Sequence, residues 1–130
     1  MPLFTVTMMA GRLPEEIEGL SNAIHAASVA AGYPADDLFQ RFVELEPGHL
    51  KVDPQYPGLS KPRTGQMLII EVLVSSGTEI ERKRTLVKSL VENLAIAGTD
   101  PNDVMVFFLE TDRASGSFGS GLFAPPVAFS

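Results

Sequence analysis

The residue with the clearest chemical potential is Pro2, which directly follows the initiator Met1. An initiator methionine before a small residue is commonly removed, and its removal here would leave a secondary amine at the start of a β-rich run. A free α-amine titrates near about 7.7–8.0, and burial beside cations lowers that pKa toward neutrality. A neutral amine can take a proton from a carbon next to a carbonyl. Pro2 is therefore a candidate general base.

Most other chemistries lack the residues that they need. The chain has no cysteine, and its two histidines, His25 and His49, do not have the spacing of metal ligands. The sequence contains no nucleophile elbow, phosphate loop or dinucleotide fingerprint. We therefore expect no metal and no cofactor.

Charge and hydropathy exclude further classes of partner. A formal net charge of −6 gives no electrostatic footprint for nucleic acid or anionic lipid. No apolar run approaches the roughly 20 residues of a membrane span, and the first residues do not resemble a signal peptide. We expect a cytoplasmic protein that binds neither nucleic acid nor membrane.

The candidate base Pro2 lies at the start of a duplicated unit. The sequence repeats itself at a constant offset of 66 residues. MPLFTVTMMAGRLPEEI aligns with MLIIEVLVSSGTEIERK, and AGYPADDLFQRFVE aligns with AGTDPNDVMVFFLE. The matched pairs are Gly11 and Gly77, Gly32 and Gly98, Asp37 and Asp103, Phe42 and Phe108, and Glu44 and Glu110. A constant offset over some 40 residues indicates two copies of one structural unit.

Each copy has the pattern β-α-β. The predicted strands are Leu3–Met8, Leu38–Leu45, Met67–Val74 and Val104–Glu110, and apolar residues at helical spacing lie between them. The predicted fold class is α/β (α+β), with two tandem β-α-β units forming a four-stranded sheet that has two helices on one face. We expect one domain over residues 1–130, with repeat units at 2–45 and 67–111. A Pro-rich connector at 46–66 joins them, and a C-terminal loop or hairpin covers 112–130.

Particular residues mark the predicted helix ends. Pro14 suits the first turn of the first helix, and Thr78 precedes Glu81 as in a capping box of the second. Gly32 and Gly98 lie where glycines end helices. The last predicted strand, Val104–Glu110, is apolar without alternation, which predicts burial on both faces. Because two helices cover only one face of a sheet, we expect a homo-oligomer.

The sequence resembles the tautomerase superfamily over nearly its whole length, from Pro2 to about Phe123. The resemblance rests on Pro2 at the start of a strand, Gly11-Arg12 at its end, the 66-residue duplication, the segment 34–40 (PADDLFQ) and the late segment 117–121 (SFGSG). Long members of this superfamily fuse two units and form trimers, and the pattern here is most similar to malonate semialdehyde decarboxylase. The resemblance therefore implies a homotrimer.

The resemblance also implies roles for individual residues. Pro2 would be the catalytic base, and Asp37, in the turn after the first helix, would assist it. Arg12 and Arg63 would bind the carboxylate or carbonyl of an oxo-acid substrate. Phe118 would line the pocket. The implied activity is tautomerisation of a small 2-oxo or 2-hydroxy-enoic acid.

Departures from the family pattern leave two alternatives open. Decarboxylase and dehalogenase members have arginines just after the third strand, where this chain has the segment 75–78 (SSGT) without a cation. The second arginine of short tautomerases would fall near Phe39 or Met105, which are both apolar. One alternative is decarboxylation or hydration of a three-carbon oxo acid by Pro2 and Asp37. The other is a non-catalytic trimeric binding module of the same fold.

Overall fold

The computed structural model describes residues 1–123, so residues 124–130 of the expected C-terminal loop lie outside the described part. The strands are β1 (Leu3–Met9), β2 (Gln40–Leu45), β3 (Leu68–Ser75), β4 (Val104–Thr111), β5 (Ser117–Gly119) and β6 (Leu122–Phe123). The long helices are α1 (Pro14–Ala30) and α2 (Ile80–Ile96), and one-turn helices cover Pro101–Asp103 and Arg113–Ser115. The expected hairpin after β4 is formed by β5 and β6.

The main sheet has the strand order β2-β1-β3-β4. Within each β-α-β unit the two strands are parallel, while β1 and β3 pair antiparallel at the centre, with Val6 opposite Ile70. The predicted fold of two tandem units is thus confirmed. Because β3 runs antiparallel to β1, the start of β1 lies beside the ends of β3 and β4.

The core lies between one face of the sheet and the two helices. In β1, Phe4, Val6 and Met8 are buried and alternate with partly exposed residues, which is the period of a strand with one covered face. The helices contribute Ile24, Leu86, Leu90 and Leu94, all fully buried. Burial stabilises the fold by about 1.5–3 kcal/mol for each large apolar side chain. This core therefore fixes the position of the start of β1.

The other face of the sheet is largely uncovered in the single chain. Phe107 and Leu109 of β4 are 55% and 49% exposed, whereas Val106 and Phe108 are partly buried and pack against the core. The last strand is therefore apolar on both faces, as predicted, but residues 1–123 cover only one of them. Over residues 1–123, no helix has the length and apolar character that crossing a membrane requires.

Two boundary predictions are corrected by local hydrogen bonds. The capping box of α2 is not formed: its N-cap residue is Glu79, and the Thr78 hydroxyl donates instead to the Ser75 carbonyl at 2.6 Å. The second strand begins at Gln40 rather than Leu38, since the Asp37 amide bonds the Pro34 carbonyl at 3.1 Å and keeps this segment in a turn. The end of α1 was predicted correctly, since Gly32 adopts a φ of +96°.

Candidate active site

A cavity of about 370 Å³ opens where the start of β1 meets the ends of β3 and β4. It is also bounded by Phe39, just before β2, and by the segment that leads into the β5–β6 hairpin. The lining residues are Met1, Leu3, Phe39, Leu73, Ser75, Thr111, Asp112, Arg113, Ser115, Gly116, Ser117 and Phe118. Its position at converging strand ends makes it a candidate active site.

The N-terminus is held at this cavity by the sheet. Pro2 is fully buried, and the Phe4 amide donates to the Phe39 carbonyl at 3.0 Å. Met1 lines the cavity, and its α-amine donates to Oδ2 of Asp37. The side chains of Met1 and Asp37 are only 12% and 11% exposed, so the ion pair is largely shielded from solvent.

Asp37 differs from its repeat counterpart Asp103. Both carboxylate oxygens of Asp103 are used structurally, since Oδ1 accepts from the Thr64 amide and Oδ2 from the Thr64 hydroxyl, each at 2.7 Å. Asp103 thereby fixes the connector to the sheet. Asp37 instead faces the N-terminus, and its buried Oδ1 has no hydrogen-bond partner among residues 1–123. Equivalent positions of the duplication thus have different surroundings, and Asp37 keeps an acceptor available beside the cavity.

An aromatic pair forms one wall of the cavity. The rings of Phe39 and Phe118 stack, with centroids 5.6 Å apart and an interplanar angle of 24°. Phe118 is 51% exposed, so its ring has little cover within the chain. The structure therefore places Phe118 in the cavity wall, where the resemblance expects it. Leu3 and Leu73 add aliphatic surface, and this part of the cavity suits an apolar or unsaturated group.

Arg113 is a cationic residue of the site that the sequence analysis did not identify. It lies just after β4, lines the cavity, and its Nη1 donates to the Ser75 hydroxyl at 3.3 Å. The sequence does contain a signal for it. Parallel neighbours end at the same edge of a sheet, so a residue soon after the fourth strand lies near the end of the third.

Arg12 and Arg63 lie away from this cavity. Arg12 follows β1, so the seven-residue strand separates it from Pro2 by roughly 20 Å. Its Nη2 donates to the Gln66 carbonyl at 2.6 Å, and burial lowers the pKa of its guanidinium. Arg63 lies in the connector, where its Nη1 donates to the Asp53 carbonyl at 2.7 Å. Within one chain, neither arginine can contact a ligand bound beside Pro2.

The histidines and acidic residues do not form a metal site in the described part of the chain, where no three metal-ligating side chains are clustered. The ring of His25 is engaged with the Ala35 carbonyl through Nε2 at 2.8 Å. The groups available at the cavity are thus an N-terminal amine, the carboxylates of Asp37 and Asp112, and the Arg113 guanidinium. Together they can transfer protons and stabilise an anion next to an apolar surface.

Comparisons with known proteins identify the family of this chain. A family model described as "Tautomerase enzyme" matches residues 37–119, which is more than half of the chain. The "Probable tautomerase YrdN" of Bacillus subtilis (strain 168) is 29% identical over 123 residues, covering 93% of each chain.

Solved structures share the fold. A malonate semialdehyde decarboxylase is 31% identical, with a TM-score of 0.85 over 92% of each chain. A fused 4-OT described as a symmetric trimer is 22% identical, with a TM-score of 0.75 over 93% of this chain and 94% of that one, and supports the fold alone. By its match to the family model and its likeness to the decarboxylase over nearly its whole length, this chain belongs to the tautomerase family.

Proposed function

We propose that this protein is a tautomerase that interconverts the enol and keto forms of a small 2-oxo acid, with the amine of Pro2 as the general base. The observation that supports this most strongly is the contact between the N-terminal amine and Asp37 beside an apolar cavity. Removal of Met1 would leave the secondary amine of the buried Pro2 as the chain terminus, one residue further along the chain than the Met1 amine that contacts Asp37. A proton acceptor would then lie at the edge of the cavity.

The proposed reaction moves one proton between the oxygen and the neighbouring carbon of the substrate, and it can run toward the keto form or toward the enol form. For ketonisation, the substrate is a 2-hydroxy-enoic acid. The neutral Pro2 amine takes the proton of the enol oxygen and then delivers a proton to the carbon next to the new carbonyl, so that the amine is neutral again at the end. For enolisation, the neutral amine removes that carbon-bound proton, and negative charge develops on the carbonyl oxygen. A nearby cation lowers the energy of this enolate.

A relative supports the choice of base. The malonate semialdehyde decarboxylase that is 31% identical to this chain was also solved as a variant with its first-residue proline replaced by alanine. That study concerns the decarboxylase and hydratase activities of that protein. Once Met1 is removed, Pro2 is the first residue of this chain. Pro2 is buried at the start of β1, which suits an amine that is shielded from solvent.

A lyase is the second candidate, and the position of Asp37 favours it. Oδ2 of Asp37 accepts a hydrogen bond from the N-terminal amine. Oδ1 is buried, has no hydrogen-bond partner among residues 1–123, and could orient a water molecule. Decarboxylation or hydration of a three-carbon oxo acid would use Pro2 and Asp37 together. The likeness to malonate semialdehyde decarboxylase supports this alternative as well.

The working unit that we propose is a homotrimer. The uncovered face of the sheet exposes Phe107 and Leu109, and Val43 of β2 is 38% exposed. A fused 4-OT of the same fold is described as a symmetric trimer. In such an assembly Arg12 or Arg63 of one chain would serve the cavity of a neighbour, which is the arrangement that their predicted roles require.

Initial rates on a panel of oxo acids test this proposal. We expect turnover of phenylenolpyruvate, which has one carboxylate, and a slower reaction or none with 2-hydroxymuconate and with malonate semialdehyde. Pro2→Ala should lower kcat by about a hundredfold or more, the lower end of what a positioned base contributes. Pro14→Ala, which changes an exposed proline at the start of α1, is the matched control. Inactivity on every substrate would instead favour the non-catalytic binding module.

A further inference from the structure

We propose that Arg113 binds the substrate carboxylate, and that the substrate class is therefore the monocarboxylic 2-oxo acids. This inference rests on the proposed function, because it concerns the ligand of the same cavity. Neither the pattern of the family nor the sequence repeat points to this residue. It follows from where the sheet register places the guanidinium.

The register of β3 and β4 brings Arg113 to the end of the neighbouring strand. The two strands are parallel, and their last paired residues are Ser75 and Thr111. The chain then turns through the one-turn helix Arg113–Ser115, so Arg113 follows the last pair by two residues. Its Nη1 donates to the hydroxyl of Ser75, which is only 4% exposed. The guanidinium is thus anchored at the end of β3.

This position matters because the end of β3 has no cation of its own. The segment 75–78 that follows the strand is Ser-Ser-Gly-Thr, where an oxo-acid site would need a positive group. Among the described residues that line the cavity, Arg113 is the only one with a cationic side chain. Arg113, which follows β4, therefore supplies the positive charge that the end of β3 lacks. Arginine suits this role, since its planar fork can donate two hydrogen bonds to one carboxylate.

The rest of the cavity indicates how many carboxylates the ligand has. Asp112, next to Arg113, also lines the cavity and would repel a second carboxylate. Asp37 adds a further negative charge beside the N-terminus. The stacked rings of Phe39 and Phe118 offer an apolar surface between these groups. A ligand with a single carboxylate bound to Arg113 and an unsaturated chain packed against Phe118 would fit all of these groups.

Three inert ligands of similar length separate these contributions. Sorbate has one carboxylate on an unsaturated chain, sorbamide replaces the carboxylate by an uncharged amide, and muconate has a carboxylate at each end. Titration of the purified chain, followed by amide chemical shifts in NMR spectra, gives the Kd of each. We expect sorbate to bind more tightly than either of the others.

Arg113→Gln should weaken sorbate binding by about 10- to 100-fold, which is the loss expected for a hydrogen bond to a charged group. The same variant should change sorbamide binding by less than about threefold. Arg113→Lys keeps the charge and should restore part of the sorbate preference. Arg84→Gln is the matched control, because Arg84 pairs with Glu81 on the exposed side of α2.

Equal losses of sorbate and sorbamide affinity in Arg113→Gln would overturn the inference. Unchanged sorbate affinity in that variant would also overturn it, and so would an Arg113→Lys variant that binds sorbate no more tightly than Arg113→Gln does. Tighter binding of muconate than of sorbate would overturn the assignment to monocarboxylic acids. The ligands need no turnover. Carboxylate-selective binding without any activity would therefore contradict only the proposed function, and turnover that is unaffected in Arg113→Gln would contradict only this inference.

Discussion

The α-amine of Met1 donates to the carboxylate of Asp37, although 35 residues separate them in the chain. The sheet explains this contact. Strands β1 and β2 are parallel, with Phe4 opposite Gln40 and Val6 opposite Phe42, and continuing that register backward places residue 1 opposite residue 37. The partner of the N-terminus is therefore set by the pairing of the first β-α-β unit.

The first prediction concerns this carboxylate. Asp37→Asn keeps the size of the side chain but removes its charge and its ability to accept a proton. We expect tautomerisation to fall by less than about tenfold, whereas a hydratase that used Asp37 to activate water should lose about 10²–10⁴-fold. Rates on an enolic 2-oxo acid and on malonate semialdehyde would be measured for both chains. Asp36→Asn, in the same exposed turn, is the control.

A fall in tautomerisation as large as the fall in hydration would contradict this division of roles. It would mean that Asp37 is needed for proton transfer at Pro2 itself. The proposed tautomerase mechanism would then have to include Asp37 as an essential group.

The second prediction concerns the aromatic wall. Phe118→Ala removes the ring that stacks on Phe39 in the cavity wall, and an aromatic contact of this kind with an unsaturated substrate contributes about 0.5–1.5 kcal/mol beyond burial. We expect KM to rise by up to about tenfold with little change in kcat, and loss of the stacking on Phe39 should lower the free energy of unfolding by no more than about 1.5 kcal/mol. Phe123→Ala, on the same hairpin but outside the cavity lining, should leave KM unchanged. A large fall in kcat for Phe118→Ala alone would argue for a role in the chemical step.

The third prediction concerns the uncovered sheet face. Phe107→Glu places a charge at a position that would be buried between chains, and burying an unpaired charge costs several kcal/mol. Light scattering after size-exclusion chromatography should give three chains for the wild type and one for the variant. Ile96→Glu, at the 86% exposed end of α2, should remain trimeric. A monomeric wild type, or a variant that stays trimeric, would contradict the proposed assembly.

The fourth prediction concerns acid stability. Glu110 accepts from Lys83 Nζ at 3.0 Å and from the Gly77 amide at 3.1 Å, and these bonds lower the pKa of its carboxyl group from 4.5. A carboxylate with a lowered pKa stabilises the folded state above the unfolded pKa, and this stabilisation is lost as pH falls through the folded pKa. Glu110→Gln should therefore lose less stability than the wild type below about pH 4.5.

Urea unfolding at pH 7 and at a series of acidic values would measure this difference. Glu92→Gln is the control, since Lys88 Nζ and Glu92 Oε1 are 3.9 Å apart in an exposed i,i+4 pair. Parallel stability curves for the wild type and Glu110→Gln would contradict the prediction.

The fold could be predicted from the sequence because the duplication and the strand and helix periods agree with one another. Val6 and its repeat counterpart Val72 are both fully buried in equivalent strands, so each copy confirms the pattern of the other. The capping of α2 could not be predicted reliably. The Thr78 hydroxyl donates to the Ser75 carbonyl instead of accepting a hydrogen bond from the first turn of the helix, and this difference depends on the turn geometry.

The candidate site could be predicted only in part. Pro2, Asp37 and Phe118 were identified from a resemblance, and the structure brings the N-terminus, Asp37 and the Phe118 wall to one cavity region. Arg113 was missed because its relevance depends on the pairing of Ser75 with Thr111, which no local pattern encodes. Arg12 and Arg63 were placed by family position alone, and their predicted roles depend on neighbouring chains.

The most direct measurement of the central claim relates activity to the state of the N-terminus. Samples with different extents of Met1 removal, quantified by intact mass, would be assayed on the same enolic 2-oxo acid. We expect the initial rate to be proportional to the fraction of chains that begin with Pro2, since the proline nitrogen is a non-basic amide while Met1 is attached. Equal activity of chains that retain Met1, or inactivity of fully processed chains toward every oxo acid tested, would contradict the account.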